Sequence, residues 1–139
     1  MNWIGGIIVA GYGVAGGRQE KCAYPGGTIR TQRPFFLEKG IDLSPYFPGT
    51  LNVDVAPAVP NPASGRIIFD GLIQWFPGIE ERFVLSQIEF NVKGHVFAGL
   101  WYYPRPETKQ EHFQPASVLE LLLPWIDGLA TGDKVAVRL

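Results

Sequence analysis

The sequence predicts an all-β fold: one domain, residues 1–139, built as a small closed barrel of about six strands with one short helix. Three observations carry this expectation. Segments rich in β-branched and aromatic residues recur along the whole chain. Seventeen glycines and 12 prolines cut these segments apart at turn-like positions. The helix signal is thin, and no linker, low-complexity tract or internal repeat interrupts the pattern. A closed barrel is preferred to a sandwich because closure leaves fewer exposed strand edges.

The elements follow in order. Residues 4–10 form an apolar strand that runs into Gly11-Tyr12-Gly13-Val14-Ala15-Gly16-Gly17. Residues 33–39 have the composition of a turn or two of helix, with Gly40 as the C-terminal stop. Residues 51–55 form a second strand, and 56–64, holding three prolines, a loop. Strands at 66–75, 82–92 and 95–103 come next, the last two joined through Asn91-Val92-Lys93-Gly94, a hairpin link. Phe83, Leu85, Gln87 and Glu89 alternate with Val84, Ser86, Ile88 and Phe90, a mixed period of two that suits a barrel strand covered on both sides. Strands at 118–123 and 134–139 finish the chain, with Gly132-Asp133 turning into the last.

Composition bounds the function. A chain of this length buries roughly 68% of its unfolded surface, enough for a core without disulfides or structural metals. An apolar share of 46% against 18% charged residues is that of a globular protein. Twelve basic against 13 acidic side chains leave a net charge of −1, which argues against nucleic acid as a partner. A single cysteine, Cys22, forms no internal bridge and favours a reducing compartment; its ordinary role is a small, partly buried side chain. Residues 3–17 are apolar but end at Arg18, too short to span a bilayer, and no basic segment or cleavage site marks a signal peptide. The expectation is a soluble, cytoplasmic protein with no membrane partner.

Few motifs suggest chemistry. The glycines of 11–17 would let backbone N–H groups approach phosphate oxygens, where a Cβ would obstruct them. No Gly-Lys-Ser/Thr follows, and no amphipathic helix, so an ordinary turn explains them as well. Pro48-Gly49-Thr50-Leu51-Asn52 is more informative: a tight turn becomes a strand, and Thr50 and Asn52 then share one face. A hydroxyl beside an amide oxygen makes a pair of hard ligands suited to Mg²⁺ alongside phosphates and water. The alternative is a turn whose backbone the pair fixes.

Other residues are less specific. Trp101-Tyr102-Tyr103 would stack on a planar ligand or serve as core and rim. Thr108 and His112 offer polar groups in a loop. Glu120 interrupts Val118-Leu119-Glu120-Leu121-Leu122-Leu123, either exposed on a strand face or turned inward toward a ligand. His95 and His112 lack metal-ligand spacing, and there is neither a Gly-x-Ser-x-Gly elbow nor a Cys-x-x-Cys.

Taken together, these segments resemble the archaeal CTP-dependent riboflavin kinases, whose fold is a compact cradle-loop β-barrel. The order matches across most of the chain: the glycine-rich stretch, the run from Gly40 that ends in Pro48-Gly49-Thr50-Leu51-Asn52, Pro106-Glu107-Thr108 with His112-Phe113, and Leu119-Glu120-Leu121-Leu122-Leu123-Pro124 leading to Gly132-Asp133-Lys134-Val135. The resemblance implies phosphoryl transfer from CTP to riboflavin, giving FMN. It implies Mg²⁺ on Thr50 and Asn52 and flavin contacts at Thr108 and Glu120, with Glu120 also the candidate catalytic residue. It implies nucleotide contacts at Gly11, Gly13, Gly16 and Gly17 and at Trp125, Ile126, Asp127 and Gly128. The chain departs from the family pattern within the glycine loop and after Pro124, where the segment is shorter and carries no arginine. Two other function classes fit the residues: a non-catalytic module that binds a flavin, nucleotide or other small ligand, and an assembly domain that keeps only the fold.

Overall fold

A computed structural model describes residues 3–10, 28–105 and 115–139. Seven strands and one α-helix follow one another along these residues: β1 (Ile4–Ala10), α1 (Thr28–Glu38), β2 (Leu51–Asp54), β3 (Arg66–Phe76), β4 (Ile79–Val92), β5 (His95–Pro104), β6 (Val118–Leu122) and β7 (Lys134–Arg138), with one 3-10 turn at Pro62–Ser64. Half of the described residues lie in strands. The order β4-β5-β6-β2-β1-β7 is antiparallel throughout and closes where β7 pairs with β4, giving a six-stranded barrel with β3 as an extra strand on β4.

The 14 residues of β4 make this arrangement possible. Residues 79–87 of β4 pair with β3, and residues 89–91, further along the same edge, pair with β7. One long strand therefore belongs to the barrel and to a hairpin that projects from it. The hairpin turns at Pro77-Gly78, with φ +78° at Gly78, so both strands extend beyond the bounds expected from composition. The expected link into β5 is a two-residue turn at Lys93-Gly94, with φ +51° and +79°, between the paired Val92 and His95.

The mixed periodicity of β4 reflects two separate cores. Ile88, Phe90 and Val92 face the barrel interior with Leu51, Val53, Val55, Trp101, Leu119, Leu121 and Val137. Phe83 and Leu85 face outward, into a second core with Ile73, Trp75, Leu100, Tyr102 and Leu122, and α1 covers it with Ile29 and Phe36. Gly99 faces the interior beside β6. A Cβ there would lie 2.5 Å from the Leu122 carbonyl oxygen and 2.6 Å from a Leu123 methyl, so only glycine permits this approach of β5 to β6.

The helix starts five residues earlier than composition indicates and contains Pro34. Proline in a helix interior removes one backbone hydrogen bond. Here the apolar face of Ile29 and Phe36 docks on the sheet and offsets that loss. Gly40 ends the helix as expected, at φ +85°: its N–H bonds the Leu37 carbonyl, and the Ile41 N–H reaches the Phe36 carbonyl at 3.0 Å. No helix among the described residues is long and apolar enough to cross a membrane.

Candidate functional site on the outer wall

The site begins where Phe47-Pro48-Gly49-Thr50 enters β2. The Phe47 N–H donates to the Leu123 carbonyl at 2.8 Å, tying this loop to the end of β6, and the Gly49 N–H closes a tight turn on the Phe47 carbonyl, also at 2.8 Å. The alternation of β2 then sends Leu51 and Val53 into the barrel and leaves Thr50 and Asn52 on the outer wall. Both are nonetheless buried, at 5% and 9% exposure. Thr50 Oγ1 donates to Asn52 Oδ1 at 3.1 Å, the shared face expected from their spacing.

Register extends this pair into a row. Asn52 stands opposite Glu120 of β6 on one side and Ala10 of β1 on the other. Leu119 and Leu121, flanking Glu120, point into the barrel, so the half-buried carboxylate belongs to the outer wall and not to the interior. One strand over, Trp101 pairs with Leu121, and the next residue of β5, Tyr102, comes beside Glu120. The Tyr102 hydroxyl donates to Gln32 Oε1 of α1 at 2.8 Å. Burial pushes the Tyr102 phenol well above its ordinary value, and the Glu120 and Glu81 carboxylates push it the same way, so the hydroxyl keeps its proton. Thr50, Asn52, Glu120, Tyr102 and Gln32 thus run across the outer wall and up to the helix above it.

The donor set suits a hard cation that arrives with its own anionic ligands. Two oxygens in adjacent positions of an octahedron around Mg²⁺, each at about 2.1 Å, lie about 3 Å apart. The 3.1 Å between Thr50 Oγ1 and Asn52 Oδ1 matches that spacing, and the hydroxyl has only to rotate its proton away. No cluster of three or more His, Cys, Asp or Glu suited to a metal occurs among the described residues, so the pair would work with phosphate oxygens and water rather than as an all-protein cage.

No protein-family model matches this chain. No curated protein matches it either.

The other expected site residues divide into two groups. Gly11, Gly13, Gly16, Gly17 and Thr108, together with Cys22, Lys109 and His112, lie outside the described residues. Trp125, Ile126, Asp127 and Gly128 lie within them. Trp125 is half exposed, its ring tilted 47° against Phe47 with centroids 5.0 Å apart, and its Nε1 donates to Asp127 Oδ1 at 2.6 Å. Phe47 is three residues before Thr50, so this aromatic contact brings the segment at 125–127 to the same end of the barrel as Thr50. Ile126 packs on the barrel core, and Gly128, at φ +81°, serves a turn.

Structure decides several open alternatives toward packing. Trp101 is buried in the barrel and Tyr102 lies under α1, so neither presents a face to solvent. His95 is exposed at the start of β5. Arg105, next to the loop beyond β5, reaches Asp70 at 3.3 Å, and Arg82 meets the same carboxylate at 3.1 Å. Sequence reasoning missed Gln32 and the inter-element role of Tyr102. The available signal was a polar residue between Ile29 and Phe36 on the apolar face of a helix.

Proposed function

We propose that the chain is a CTP-dependent riboflavin kinase-like protein of the cytoplasm, transferring a phosphoryl group from the nucleotide to riboflavin to give FMN. The observation that carries this reading is the buried Thr50–Asn52 oxygen pair with Glu120 directly opposite on the neighbouring strand. Phosphoryl transfer asks little covalent chemistry of a protein; it asks for positioning and charge neutralisation. A bound Mg²⁺ would supply the neutralisation on the nucleotide phosphates.

The chain's own residues would do the rest. Thr50 and Asn52 would present oxygens from a wall held rigid by β2 and its two neighbours. Glu120 would orient the attacking riboflavin hydroxyl and take its proton. The exposed Trp125 ring, braced by Phe47, would give the cytosine ring a stacking surface at the same end of the barrel. The glycines of 11–17 and Thr108 would complete the nucleotide and flavin contacts.

One observation favours a second reading, a non-catalytic flavin- or nucleotide-binding module on the same wall. The segment after Pro124, where the resemblance leads one to expect an arginine, carries Asp127, engaged by Trp125 Nε1, and kinase-like sites usually offset phosphate charge with a cation. Arg105, which would otherwise compensate, meets Asp70. Losing one charge-assisted contact weakens nucleotide binding roughly tenfold to a hundredfold, so turnover is expected to be slow. Incubating the pure protein with CTP, Mg²⁺ and riboflavin, and following FMN by chromatography, tests both readings. Slow FMN formation supports the kinase. Binding of riboflavin or CTP without any FMN leaves the binding module. Turnover at several per second, ordinary for kinases, would show that the acid at Asp127 is no handicap.

A further inference from the structure

Gln32 is fully buried on the inner face of α1, between Ile29 and Phe36. Its Oε1 accepts the Tyr102 hydroxyl proton at 2.8 Å. Its Nε2, carrying two N–H donors, is buried with no hydrogen-bond partner among the described residues. Buried amides are nearly always paired, and one left unpaired disfavours the ligand-free state. The position makes the omission informative: Tyr102 bonds Gln32 and feels the charge of Glu120, so the unmatched donor adjoins the row that leads to Asn52 and Thr50.

We propose that Gln32 is a specificity-determining residue of this site, its Nε2 donating to a ring carbonyl of the flavin. This rests on the reading of riboflavin as the acceptor. The ligand group must be an acceptor, because the vacant valences are N–H donors. A neutral carbonyl suits the place better than an anion, because Tyr102, held protonated, spends its only hydrogen on Gln32 and Glu120 already brings negative charge. The isoalloxazine ring carries such carbonyls at its positions 2 and 4, on the edge remote from the methyl groups.

The test is a thermodynamic cycle read by isothermal titration calorimetry. Riboflavin, 2-thioriboflavin and 4-thioriboflavin are titrated into wild type, Gln32→Met and the double variant Gln32→Met/Tyr102→Phe, which also removes the stranded hydroxyl. Sulfur is a poor acceptor in place of oxygen, so one of the two thio analogues should bind wild type about tenfold more weakly than riboflavin. Both variants should bind riboflavin about tenfold more weakly and lose that discrimination. The double variant should melt at or above the wild-type temperature without ligand, because it buries no unmatched donor. Wild-type affinity for riboflavin in the folded double variant, or equal discrimination in wild type and variants, overturns the role of Gln32 and leaves the kinase reading standing. Failure of wild type to bind riboflavin at all overturns both.

Discussion

The barrel interior and the outer wall beneath α1 are both buried, yet they are filled with different chemistry. The interior is closed by Leu51, Val53, Phe90, Trp101, Leu119 and Leu121, apolar side chains that need nothing but contact. The wall gathers Thr50, Asn52, Tyr102 and Gln32, buried polar groups that need partners, with the half-buried Glu120 among them. Adjacent residues of a single strand serve the two regions: Val53 is in the core and Asn52 is in the row. Because strand side chains alternate by two, the barrel can hold its fold on one face and its chemistry on the other. Damage to one region should therefore be separable from damage to the other.

The interior should fail hardest. Phe90→Ala removes a fully buried ring from the barrel core and should cost about 3–5 kcal/mol, read as a large drop in the denaturation midpoint. A loss below 1 kcal/mol would mean that the interior is not the stabilising core. The wall should show itself through pH. Burial and the nearby carboxylates raise the Tyr102 phenol in the folded state. Its stabilising contribution is full below the unfolded value of about 10 and falls away as pH rises through the folded value. Alkaline unfolding should therefore be shallower in Tyr102→Phe than in wild type; identical curves above that pH would remove Tyr102 from the buried row.

The smallest effect belongs to the surface. Arg82 and Arg105 hold the Asp70 carboxyl below the usual carboxylate range, chiefly through the Arg82 hydrogen bond. That contribution is present at neutral pH and lost as pH falls through the depressed value. With the side chains of Asp70 and Arg82 32% and 48% exposed, Asp70→Asn should cost under about 1 kcal/mol at pH 7. A larger loss would make this cluster part of a third, unrecognised region.

Features that depend on neighbours in sequence were legible from the chain alone. The strand at 4–10, the turn at Lys93-Gly94, the helix stop at Gly40 and the shared face of Thr50 and Asn52 all follow from local backbone rules. The first turns of α1 were hidden because Pro34 breaks the expected pattern and no acidic residue marks the N-terminal turn. The end of β3 and the start of β4 were hidden by Pro77 and by the charged pair Glu80-Glu81, which composition assigns to a loop. The contact between Gln32 and Tyr102 spans 70 residues and arises only when α1 lies across β5, so no spacing rule reaches it. Glu120 could be read as exposed or inward; register with Asn52 supplied a third answer, the outer wall.

The most direct measurement compares two neighbouring substitutions on β2 by calorimetry, titrating CTP with and without Mg²⁺ into Asn52→Leu and Val53→Ala. On this account Asn52→Leu stays folded and loses its Mg²⁺-dependent affinity, because the outer wall loses one of its two metal-facing oxygens. Val53→Ala loses stability by roughly 1–3 kcal/mol and keeps that affinity while folded, because its side chain belongs to the interior. Mg²⁺-dependent CTP binding that is unchanged in Asn52→Leu would contradict the account, and the Thr50–Asn52 pair would then be a device for shaping the turn.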